Sequence, residues 1–186
     1  EDKQDFRVFD FCFNFDFFKE KTEGIAGSDS APLGTKLFRS RAKLLHLVQG
    51  HADLDPDATL RNALTEGLHG EVAAMNPENF IVRMHLEAVE RFQQREAWAE
   101  VGPDELAVLE KEIAGLPAEL ALDDIKSRLF DLTALRLQLA LTEADTATFE
   151  HYRKRVVEIA MLLEEKKAIP AVAAQLEYLA RDRKST

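Results

Sequence analysis

The chain has 186 residues, 46% apolar and 31% charged, a globular balance that excludes intrinsic disorder and allows one domain built on a hydrophobic core. Its single cysteine, Cys12, excludes an internal disulfide and a cysteine-rich zinc site, which fits a reducing cytoplasm. The net charge of −10 lies wholly in residues 51–122, with fifteen acids against five bases, while residues 1–50 and 123–186 are each balanced; a stand-alone nucleic-acid binder carries the opposite excess.

Seven of the twelve phenylalanines fall between Phe6 and Phe18. Phe9, Phe11, Phe13, Phe15 and Phe17 alternate with Asp10, Cys12, Asn14 and Asp16, which is a strand pattern, best over residues 5–11. The run is too short and too charged for a membrane span, and no basic leader makes it a signal peptide. An aromatic strand needs a sheet to join, yet everything after it reads as helix. With no initiator Met, the chain is therefore expected to be a piece of a larger protein. Residues 1–27 form an extended strand and linker in this reading, rich in Gly and Ser at its end, and 28–186 a helical domain.

The first helix is expected from about Leu33 to Gln49, with Leu37, Leu44, Leu45 and Val48 on its inner arc and Gly50 as the stop. Asp55-Pro56 reads as an N-cap with Pro at the first helical position, opening a second helix to about Met75. A third, from Glu78 to Gln94, carries Phe80, Ile81, Met84, Val89 and Phe92. A shorter one runs from Asp104 to Ala114, closed by Gly115 and Pro117. From Asp123 to Glu143, leucines and isoleucine cover nearly the full circumference, so this helix is expected to be the most buried. A helix from Thr146 to Lys167 comes next, with Phe149, Val156, Ala160 and Leu163 as one stripe, then a last one from about Pro170 to Ala180. The fold class is all-α, an irregular multi-helix bundle preceded by one aromatic strand.

Apparent catalytic signatures fail on spacing. Gly27 to Lys36 lacks the order of a phosphate-binding loop. Asp104 and the Glu164-Glu165-Lys166 group lie some sixty positions apart on helices, which favours surface charge over a nuclease centre. Among His46, His51, His69, His85 and His151 no ligand spacing occurs, and Glu66 to His69 is a single Glu-x-x-His where a di-iron bundle needs two. Cys12 has no evident His partner and reads as a small buried filler.

One basic feature survives. Lys36, Arg39, Lys43 and His46 line one face of the first helix within an arc of roughly 80°, either as a solvated face or as a contact for phosphate or an acidic partner; Arg153, Lys154 and Arg155 form a second cluster. Arg41 and Arg136 point toward apolar arcs, so each is expected to snorkel or meet a carboxylate.

Four blocks in order carry a resemblance across nearly the whole chain: Asp2 to Phe18, Met75-Asn-Pro-Glu-Asn-Phe-Ile-Val-Arg83, Arg128-Leu-Phe-Asp-Leu-Thr-Ala-Leu-Arg-Leu-Gln-Leu-Ala-Leu-Thr-Glu143, and Ile159 to Leu176. The chain resembles the C-terminal part of the motor (R) subunit of type I restriction endonucleases. The family pattern carries Pro where Met84 stands, and the exchange predicts a less broken third helix. The resemblance implies a helical domain that docks the motor onto the methyltransferase and specificity subunits, with Phe6 to Phe11 as a final strand of a RecA-like motor domain. It implies a parent that is an ATP-dependent, site-specific deoxyribonuclease of the cytoplasm, with no membrane contact. ATP and Mg would bind the parent's motor and nuclease domains, meeting DNA there. No cofactor, metal or catalytic residue of the family maps onto this segment. A basic-face module guiding the duplex beside the motor is the alternative.

Overall fold

The computed structural model describes residues 31–120 and 124–165, so the expected aromatic strand and the expected last helix lie outside the described residues. The chain divides into two units, Glu1–Ala31 and Pro32–Thr186, and every described helix belongs to the second. Among the described residues this unit is all-helical, without strands.

Helix α1 spans Leu33–Gly50 and buries Thr35, Leu37, Phe38, Ala42, Leu44, Leu45 and Val48. Side chains such as Phe38 and Leu44 each contribute roughly 1.5–3 kcal/mol when withdrawn from water. Helix α1 packs on both α6 (Ile125–Thr142) and α2 (Thr59–Ala73); α6 in turn carries α7 (Thr146–Glu165), and α2 carries α4 (Leu86–Gln93). Between the two, α1 is more buried than α6 among the described residues. The leucine-rich circumference of α6 meets neighbours on only part of its surface: Leu132, Leu135 and Leu139 are buried, whereas Ile125, Leu129, Phe130 and Leu141 are exposed.

Two local corrections have clear causes. Asp55 does not cap a helix beginning at Pro56, because the chain first turns through Ala58 at φ 59° and the helix opens at Thr59. The Asp55 carboxylate still serves the helix end, accepting from the Leu60 and Arg61 amides at 3.1 and 2.8 Å. The expected third helix is broken despite Met84. It consists of α3 (Phe80–Arg83) and α4, with His85 at φ −121°, ψ 25° between them. The Met84 and His85 amides bond back three residues, to Ile81 and Val82, which tightens the last turn and turns the chain without proline. Within α3 only Val82 faces the core, so Phe80, Ile81 and Met84 stand exposed.

Helix ends are closed by side chains. His69 donates to the Gln93 carbonyl at the end of α4, and Gln93 donates to the carbonyls of Val72 and Met75 at the end of α2. Trp98, in a short 3₁₀ turn (Arg95–Trp98), is fully buried, donates Nε1–H to the Phe92 carbonyl at 2.8 Å, and meets the Phe92 ring edge-on at 5.2 Å. Helix α6 ends in a Schellman turn, with Asp145 N–H to Ala140, Ala144 N–H to Leu141, and Ala144 itself at φ 57°. Helix α5 (Pro103–Val108) continues into a π turn, Leu109–Ile113, which seats Leu109 and Ile113 in the core before Gly115 reverses the chain.

Candidate functional site

The basic row on α1 forms as the periodicity predicts, but it is largely taken up within the fold. In an α-helix the Ala114 amide would bond to the Glu110 carbonyl; in the π turn it reaches Leu109 instead. Arg39 Nε–H donates to the Glu110 carbonyl so released, at 3.2 Å. One turn on, Lys43 meets Glu143 at the end of α6, at 2.5 Å. A further turn on, the His46 Nδ1–H donates to the Val101 carbonyl at 2.7 Å, which fixes the proton on that nitrogen because a carbonyl only accepts. Lys36 is half-buried on the same helix. Three of the four thus bind α1 to the π turn, α6 and the segment before α5.

The second cluster is similarly engaged. Arg153 forks onto Glu150, with three contacts of 2.8–3.1 Å, and Lys154 lies 3.9 Å from Glu158. Arg155 is half-buried. The two clusters stand on different helices, for α1 packs on α6 and α6 on α7.

A cleft of about 300 Å³ opens beside α1, lined among others by Thr35, Arg41, Glu71, Gly115, Arg128 and Asp131. Arg41 meets Glu71 of α2 at 3.9 Å and Asp131 of α6 at 3.6 Å, fulfilling its expected need for carboxylates and tying three helices together. Burial pushes the Glu71 carboxyl above its ordinary range, against the pull of Arg41 and Arg128. Arg128 reaches over Gly34, where a Cβ would come within 3.2 Å of its guanidinium. Two cations and two anions balance here, and none of the lining groups named is paired as nucleophile and base, so the cleft is an ionic joint. Among the described residues Arg136 meets Tyr152: it donates to the hydroxyl at 3.0 Å and lies over the ring.

Three of the other histidines also have neighbours of this kind. His69 serves Gln93, and its sequence partner Glu66 turns to Arg95 instead, which dissolves the Glu-x-x-His spacing. His85 stands 3.8 Å from Glu112, and His151 lies edge-on to Tyr152. Among the described residues no three His, Cys, Asp or Glu side chains gather as a metal would need, and no helix is long and apolar enough to cross a membrane. Cys12 lies outside the described residues.

Sequence reasoning missed one surface feature. Phe80, Ile81 and Met84 are 76%, 45% and 66% exposed, on a one-turn helix opened by Asn79, whose side chain accepts from the Ile81 amide. The signal was Asn76-Pro-Glu-Asn79 directly before them, which leaves too little helix to bury all three. The surrounding segment keeps its acidic excess, because the pairs of Arg91 with Glu105 and Arg95 with Glu66 each take one base and one acid from within it. Comparison of the chain with protein-family models, with curated proteins and with solved structures found no match in any of the three.

Proposed function

We propose that residues 28–186 form the helical docking domain of a type I restriction enzyme motor subunit, supporting ATP-driven DNA translocation and cleavage in the assembled cytoplasmic complex. The ordered four-block sequence resemblance carries this reading. The geometry supports attachment over reaction: Arg39, Arg41, Lys43 and His46 of α1 are engaged in joining elements of the fold, and Phe80, Ile81 and Met84 face outward in an acidic segment. The domain's partners in this reading are the methyltransferase and specificity subunits, while ATP, Mg and the cleaving chemistry belong to the parent's other domains. Engagement of Arg39, Lys43 and His46 within the fold weighs against the alternative of a duplex-guiding face.

Two measurements on the 186-residue chain test the reading. It should be retained by the cognate methyltransferase and specificity core, and should show no ATPase or nuclease turnover with DNA and Mg. Robust turnover would contradict the assignment. Retention on duplex DNA that falls steeply with salt would instead restore the basic row as a contact surface.

A further inference from the structure

Resting on the docking reading, we propose that Phe80, Ile81 and Met84 are the apolar anchor of the docking surface, and that they enter a socket rimmed by lysine and arginine on the methyltransferase and specificity core. Single exposed apolar residues are ordinary, but three large ones within five positions on a locked turn are not.

The lock is built from the preceding residues. Asn76 accepts from the Glu78 amide through its side chain and from the Asn79 amide through its carbonyl, both at 2.9 Å. Asn79 likewise accepts from Ile81 and, through its carbonyl, from Arg83 at 2.8 Å. Beneath the turn, Val82 and Met75 are fully buried, and Asn76 is tied to Glu119, whose amide bonds to Ala74. An aromatic and a thioether held out on a pre-formed frame lose little freedom on binding, which is the character of residues that dominate an interface.

Charge selects the partner. Exposed Glu78, Glu87 and Glu90 flank the anchor within a segment of fifteen acids and five bases. That field repels a phosphate backbone or an anionic bilayer and matches a basic protein rim. Arg83 is the single base inside the anchor itself.

Calorimetric titration of the full chain into the cognate core, beside F80A/M84A and F80L variants, tests the proposal. The double variant should weaken binding about thirtyfold with an unchanged thermal midpoint, since both side chains are exposed, and F80L should keep most of the affinity. Wild-type binding should also weaken as salt rises. Equal binding by wild type and F80A/M84A would overturn the anchor while leaving the docking reading intact; no wild-type binding would remove both. Three other outcomes would also overturn it: self-association of the chain abolished by F80A/M84A, or retention on duplex DNA or on anionic phospholipid vesicles abolished by the same change.

Discussion

Replacing Gly115 by alanine perturbs the point where the π turn hands the chain to the cleft wall. Gly115 sits at φ +105°, and a Cβ there would stand 2.9 Å from Thr35 Oγ1, 3.6 Å from its Cγ2 and 3.8 Å from its Cβ. Thr35 is buried in the first turn of α1, so it has little room to yield. Two contributions add. The positive φ costs an L-residue roughly 1–2 kcal/mol whatever surrounds it. The overlap with Thr35 adds about 1 kcal/mol, at the low end of overpacking penalties because the nearest atom is a single side-chain oxygen. Urea denaturation of wild type, G115A, T35A and the double variant should show G115A destabilised by about 2–3 kcal/mol, falling to about 1–2 kcal/mol when measured in the T35A background. A loss in G115A below about 0.5 kcal/mol would refute the backbone argument, and strict additivity in the cycle would refute the contact with Thr35.

Glu71 and Ala144 give two further tests. Because burial raises the Glu71 carboxyl above its ordinary value of 4.5, the folded state holds that proton more tightly than the unfolded chain; this contribution to stability is full below pH 4.5 and lost as pH rises through the raised value. E71Q should therefore gain stability relative to wild type across that window and keep a constant difference above it, read from urea midpoints between pH 4 and 8; a gap that widens toward acid would contradict the sign. Ala144 occupies the left-handed position of the Schellman turn, where glycine carries no Cβ strain, so A144G should stabilise the protein by about 1 kcal/mol in thermal or urea melts. A loss of stability on that change would show that the turn is not limited by the backbone at 144.

The parts of the fold that repeat locally were legible in the sequence. The inner arc of α1 comes from its 3.6-residue period, and the expected four inner residues are all buried. What failed depended on the chain's path. Asp55-Pro56 has the composition of a helix start, but the turn through Ala58 moved the start to Thr59 while keeping the carboxylate in use. Periodicity could place Phe80, Ile81 and Met84 in a helix but not foresee that only Val82 of that turn would face inward. The basic row shows the same boundary most clearly. Its positions could be counted, yet Arg39 finds its acceptor 71 residues away and His46 finds its own 55 away, and such pairings exist only once helices have packed. Arg41 and Arg136 were different, since an arginine on an apolar arc must snorkel or meet a carboxylate wherever the chain goes: Arg41 found two carboxylates, and Arg136 the hydroxyl and ring of Tyr152.

Two side chains of α1 order the stretch leading from Trp98 to Val101, His46 at the Val101 carbonyl and Gln49 along the backbone. The Gln49 carboxamide donates to the Trp98 carbonyl at 3.0 Å and accepts from the Val101 amide at 2.7 Å, offering one donor and one acceptor as a neighbouring peptide group would. Gln49 thus behaves as a one-residue strand, lending sheet-like pairing to a bundle. The Val101 N–H should accordingly exchange with deuterium as slowly as an amide inside a helix, an isolated slow proton in an otherwise irregular connection.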